Sequence, residues 1–173
     1  MLKIFVNTWG NYNENGADGG EWITLPMDAE ELDEVLENIA EKMGDHDPEW
    51  AIHDHEWEAV ELFEVGEYDN IHEINDCLEE CSTLKEYELQ EIAAAVEAFG
   101  YEFSEAVERQ ARGCFVFYPG WNLQEVAEDL LESCYPTRDV PEFFFRYFDY
   151  EAFARDLSFD GYTETSYGVI LDN

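Results

Sequence analysis

The chain has 173 residues, with 43 Asp or Glu against 8 Lys or Arg and a formal net charge of −35 at pH 7. That balance excludes nucleic acid and anionic membrane surfaces as partners, since both are bound through the Lys and Arg that this chain nearly lacks. It does not describe a disordered acidic tail: 46% of the residues are apolar and 16% aromatic, enough apolar surface to offset the conformational entropy of folding.

Leu2 to Thr8 alternates apolar and polar residues, which predicts a strand. Its apolar run is too short for a signal peptide, and no run in the chain approaches the roughly 18 apolar residues of a membrane span, so the expectation is a soluble, cytoplasmic protein. An Asn/Gly-rich loop is expected next, then a strand over Glu21 to Leu25. Asp28 is placed to cap a helix, with Glu31 three residues on, and Leu32, Val35, Leu36, Ile39 and Met43 recur at helical spacing before Gly44. Glu49 to Glu56 predicts a third strand.

From Asn70 the period becomes helical, with Ile71, Ile74, Leu78 and Cys81 on one helix and Leu89, Ile92, Ala93, Val96 and Phe99 on the next, which ends at Gly100. Ser104 is placed to cap a short third helix. Cys114 to Tyr118 returns to strand character, and Asn122 with Glu125 opens a helix carrying Val126, Ala127, Leu130 and Leu131. Pro141 can start a helix through the FFFRYF run, Asp149 another reaching Leu157, and one closing strand is expected over about Tyr162 to Leu171. The expected class is α+β, as an elongated chain of three small domains: a mixed domain at 1–65, a helical one at 66–112 and a mixed one at 113–173.

The acids are unevenly spread. Residues 1–108 hold 31 of the 43, and only three lysines, Lys3, Lys42 and Lys85, interrupt them. Acids normally alternate with cations on a soluble surface; here the cations are absent over runs of about forty residues. Carboxylates at i and i+3 of a helix stand about 4.5 Å apart along its axis, and one strand of B-DNA offers a phosphate every 3.4 Å or so. Glu30, Asp33, Glu34, Glu37 and Glu41 on the first long helix, with Glu73, Asp76 and Glu80 on the helix after Asn70, fall off the apolar stripes and are the candidate phosphate-like surface. Thirty-five charges correspond to about 60 Å of duplex, whereas a compact chain of this length has a radius of gyration near 16 Å, so matching DNA's charge per length requires an elongated shape or an end-to-end dimer.

Other chemistry finds less support. Asn11 to Gly16 places oxygens at the first, third and fifth positions and Gly at the sixth, like the start of a calcium loop, but Trp22 stands where the twelfth-position Glu is needed. His46, His53, His55 and His72, and Cys77 with Cys81, lack the spacing of a zinc module. Cys77, Cys81, Cys114 and Cys134 are expected as free thiols. No phosphate loop, nucleophile elbow or His-Glu-x-x-His is present, so no enzyme, cofactor or metal is expected. The alternatives to a binding protein with an anionic face are a halophile-type acidic domain and a calcium-binding module.

Longer strings carry a resemblance. KIFVNTWGNYNENGADGGEWITLP (3–26), DAEELDEVLENIAEKMG (28–44) and PEWAIHDHEW (48–57) closely resemble the N-terminal region of the ArdA-type antirestriction proteins. YDNIHEINDCLEE (68–80), LQEVAEDLLESCYP (123–136) and VPEFFFRYFDYEAFARDLSFDGYTETSYGVI (140–170) are similar to the later parts of the same family, in the same order. The resemblance implies a DNA mimic: an elongated homodimer of three-domain chains whose carboxylates imitate the phosphates of bent DNA. Its implied partner is a type I restriction-modification enzyme, through the methyltransferase core, and its role is to protect mobile DNA entering a new host. Residues 123–136 resemble the family's antirestriction motif. Dimerisation is expected in the third domain, which holds the aromatic strand with Phe115 and Phe117 and toward which the cations gather, five of the eight lying from Arg109 onward.

Overall fold

A computed structural model describes residues 1–134 and 140–173. Its contacts group the chain into two compact units, Met1–Leu84 and Lys85–Asn173. Each holds a three-stranded antiparallel sheet, so the class is α+β.

In the first unit β1 (Leu2–Thr8) lies between β2 (Glu21–Leu25) and β3 (Trp50–Trp57). The alternation read in β1 buries Leu2, Ile4 and Val6 completely, and register puts Leu2 opposite Leu25 and Ile4 opposite Ile23, so one face of the sheet is a continuous apolar layer. On the other side Phe5 pairs with Asp54 and Val6 with Ile52. His53 is therefore the extra residue of a bulge.

The Asn/Gly segment expected as a loop contains a helix, α1 (Trp9–Asn15). Its residues have low intrinsic helix propensity, and local polar contacts make up the difference. The Thr8 hydroxyl accepts from the Asn11 N–H at 3.2 Å, and the Asn11 amide donates to Asn7 Oδ1 at 2.9 Å. The next two helices follow the sequence reading more closely. In α2 (Ala29–Met43) Asp28 accepts from the Glu30 N–H at 2.9 Å, and Gly44 ends the helix at φ 71°, a conformation glycine adopts without strain. In α3 (Ile71–Glu80) Asn70 accepts from the His72 N–H at 3.0 Å.

The helical stretch expected at 66–112 is divided between the units. α3 packs in the first unit, against α2 and β2, while α4 (Glu86–Phe99) and α5 (Phe103–Ala111) belong to the second, with α4 across its sheet. α5 starts behind Glu102, two residues before the expected cap at Ser104.

In the second unit β6 (Gly168–Asp172) is the central strand, between β4 (Phe115–Pro119) and β5 (Thr163–Thr165). The single closing strand of the sequence reading is thus a hairpin. Val169 and Ile170 are both fully buried, as adjacent residues must be when both faces of a strand are covered. Val169 joins Val126, Ala127, Ala154 and Leu157 of α6 (Leu123–Cys134) and α8 (Tyr150–Phe159), and α4 covers the opposite face. Gly168 has φ 138°, and a Cβ there would stand 2.2 Å from the Tyr118 carbonyl oxygen, so the hairpin requires glycine. The Asn122/Glu125 box forms as expected: each backbone N–H donates to the other's side chain, at 2.8 and 3.0 Å. A short α7 (Glu142–Phe145) precedes α8, whose Asp149 cap accepts from Ala152 at 2.9 Å. Among the described residues no helix is long and apolar enough to cross a membrane.

Candidate acidic interaction surface

The apolar stripe of α2 buries Leu32, Leu36, Ile39 and Ala40, and that of α3 buries Ile71, Ile74 and Leu78. Helical geometry then turns the intervening acids outward. Glu30, Asp33, Glu34, Glu37 and Glu41 on α2 and Glu73, Asp76 and Glu80 on α3 are all exposed. Among the described residues none of the eight has a Lys or Arg within ion-pair distance. Lys42, the cation carried by α2, is tied to Glu21.

Two contacts link α3 to the start of α2. Asn75, buried on the inner face of α3, accepts from the Met27 N–H and donates to the Met27 carbonyl, both at 2.9 Å, immediately before the Asp28 cap of α2. At the surface His72 Nε2 of α3 lies 3.7 Å from Asp33 of α2. The N-terminal ends of the two acidic helices are thus brought together in the first unit.

The field of this region reaches the thiols on α3. Burial pushes the Cys77 thiol up, and Glu80, Asp76 and Glu73 push it further. Burial, then Glu80 and Cys77, raises Cys81 to about 11. Both are protonated at neutral pH and are poor nucleophiles or metal ligands. Cys77, Cys81 and Cys114 are free, and the Cys134 side chain lies outside the described part. Among the described residues no three His, Cys, Asp or Glu side chains converge to hold a metal ion. The segment resembling a calcium loop lies on α1, with Asn11 and Asn15 bonded along the helix.

One concavity adjoins the acidic surface. Gly44 turns the chain back at the end of α2, the Asp45 N–H donates to the Ala40 carbonyl at 3.0 Å, and the return to β3 leaves a cleft of about 340 Å³ with Trp50 in its wall. Sequence reasoning singled out neither Asp45 nor Trp50. The local signal, Gly44 followed by Pro48, marks the turn but not what it folds against.

In the second unit Phe115 is buried, 6.4 Å by ring centroid from both Phe99 and Tyr101, with the Arg109 guanidinium 4.9 Å from the Tyr101 ring centroid. Arg109 also pairs with Asp172, which accepts from the Tyr101 hydroxyl. Phe117 shares the Phe115 face by strand alternation and is half-buried. The motif-like segment forms α6 up to Cys134, and its last residues, Tyr135 and Pro136, lie outside the described part. Larger apolar exposure lies elsewhere in the unit: Phe143 is 58% exposed, Tyr147 74% and Phe159 79%.

No curated protein matches the chain significantly. A family model for the antirestriction protein ArdA matches residues 4–171, spanning both units and both acidic helices. The chain belongs to the ArdA antirestriction family, a family of inhibitor proteins.

Proposed function

We propose that the protein blocks type I restriction-modification enzymes by occupying the DNA-binding groove of their methyltransferase core, its carboxylates standing in for phosphates. The observation that carries this reading is the set of eight exposed acids on α2 and α3, without a described Lys or Arg in reach. An ordinary solvated helix face interleaves both signs. An uncompensated one repels itself, and that cost is offset when a partner supplies the cations.

The groove of a DNA-binding enzyme is lined with Lys and Arg placed for phosphates. Acids at i, i+3 and i+4 on a helix held by its caps present charge at about 4.5 to 6 Å intervals, without bending or stripping counterions from a duplex. Opposite fields speed the encounter, and no catalytic residue takes part. The reading includes a homodimer joined through the second unit, whose net charge is lower and whose Phe143, Tyr147 and Phe159 are exposed. It includes an end-to-end arrangement, from the charge-per-length argument, and action in the cytoplasm on behalf of mobile DNA. The test is competition: full-length protein against labelled duplex bound to a type I methyltransferase core, at several salt concentrations. Displacement that weakens with salt is expected; no displacement even at low salt would contradict the reading.

A further inference from the structure

We infer that the cleft at the C-terminal end of α2 is a receptor for a single arginine side chain from the groove of the partner enzyme. The inference rests on the function proposed above and adds a discrete anchor to a distributed field. The cleft is not simply a patch of acids. Its apolar floor is supplied by the half-buried Pro48 and Trp50, while Leu36 and Ala40, 5% and 6% exposed, belong to the core beneath. Its rim carries Glu37, Glu41 and Asp45, with His46 as the remaining lining group. No Lys or Arg lines it, and the neighbouring Lys42 is engaged by Glu21.

This combination selects the occupant. A phosphate-mimicking surface needs only exposed charge, whereas this cleft adds apolar surface from Pro48 and Trp50. A cationic side chain with an aliphatic stem uses both, laying its methylenes on the floor and its charge at the rim. Arginine fits better than lysine for two reasons. Its planar, weakly hydrated guanidinium stacks on an indole face, and its five donors can serve two carboxylates at once where an ammonium acts as a point charge. A bound metal ion is a poor fit, since no three candidate ligands converge among the described residues. The aromatic wall with charges around it is the composition of an interface hot spot.

The test compares variants of equal charge in the competition assay with a methyltransferase core. Glu37→Gln/Glu41→Gln/Asp45→Asn empties the rim, and Glu73→Gln/Asp76→Asn/Glu80→Gln removes the same charge from α3. The rim variant should need roughly tenfold more protein for half-displacement, against about two- to threefold for the α3 variant. Trp50→Phe should stay within about twofold of the unmodified protein and Trp50→Leu should approach the roughly tenfold loss of the rim variant, with melting temperatures recorded for each. If Trp50→Leu fails to fold, the two triple variants decide. Equal losses in the two triples would overturn the anchor and leave the proposed function standing. Failure of the unmodified protein to displace DNA would overturn both.

Discussion

The two units use their acids differently. The first has 24 acids against two lysines, net −22, and the second 19 acids against six cations, net −13. In the second unit many carboxylates are drawn into the fold. Asp172 holds Arg109 and Tyr101, Glu97 accepts from the Ser166 N–H at 3.0 Å, Glu164 from the Leu123 N–H at 3.0 Å, and Glu91 from Gln110 at 3.1 Å. In the first unit Asp28, Asp54 and Asp69 likewise accept backbone N–H groups, and on the acidic helices Glu73 accepts from Asn70 and Asp33 lies beside His72, but the other six of the eight stand over apolar stripes and face water. Net charge alone does not mark a binding surface. A carboxylate that satisfies a backbone N–H already has a structural task, whereas one with no internal partner is free for another molecule.

The most severe test of this contrast neutralises Glu30, Asp33, Glu34, Glu37, Glu41, Glu73, Asp76 and Glu80 together. Half-displacement of DNA from a methyltransferase core should then require on the order of a hundredfold more protein, from a few tenths of a kcal/mol per charge. Neutralising eight exposed acids of the second unit should cost far less. Equal losses would erase the distinction between the units.

A second test targets the scaffold under the acids. Asn75→Leu leaves the Met27 N–H and carbonyl without their partners, which should destabilise the protein by about 2 kcal/mol and loosen α3 from the start of α2. Denaturant unfolding measures the first effect, and amide exchange across residues 27 to 41 the second. Full stability in this variant would mean that the helices are positioned by apolar packing alone.

The contrast also has a pH signature in the second unit. Burial opposes ionisation of Asp172, but hydrogen bonds from Tyr101 and Arg109, with the charge of Arg109, outweigh it and hold the carboxyl below its ordinary range. A lowered carboxylate contributes stability above its unfolded value and loses it as pH falls through the folded one. Asp172→Asn should therefore lower stability at neutral pH and flatten the loss seen below about pH 4. An unaltered acid limb would show that the Asp172 carboxylate does not contribute there.

The smallest expected effect is on Cys77, which reports the field of the α3 acids. Glu73→Gln/Asp76→Asn/Glu80→Gln should lower its thiol pKa and speed alkylation at pH 8 by about twofold. The gain stays modest because burial is the larger cause of the shift. No change in rate would mean that the three charges do not act on this face.

What was legible in the sequence was local. Asp28, Asn122 with Glu125, and Asp149 each cap the helix they were expected to open, because a cap is a contact between near neighbours. The outward placement of the eight acids follows from periodicity for the same reason. The misreadings involve contacts that composition does not carry. α1 forms against its poor propensity because Thr8 and Asn7 hold Asn11. The final hairpin reads as one strand in the sequence because only the short turn at Ser166 and Tyr167 interrupts an otherwise extended run. The division of the helical stretch depends on what each helix packs against: α3 on the first sheet and α4 on the second. Phe115 and Phe117 were named for dimerisation from their place on an aromatic strand; what the strand pattern does not display is that Phe115 packs against Phe99 and Tyr101 of its own unit. The cleft at Trp50 needs residues 36 to 50 folded back on themselves, which no linear pattern displays.

The central claim, that the uncompensated acids of the first unit are the surface that meets the enzyme, is tested most directly by carboxyl footprinting. The protein, alone and bound to a type I methyltransferase core, is labelled with a carbodiimide and an amine, and each acid's modification is read by mass spectrometry. Strong protection of Glu30 to Glu41 and Glu73 to Glu80 in the complex, with Glu105 and Glu108 of α5 labelled as in the free protein, is the predicted result. Protection confined to the second unit, with the α2 and α3 acids labelled as freely as before, would contradict the account.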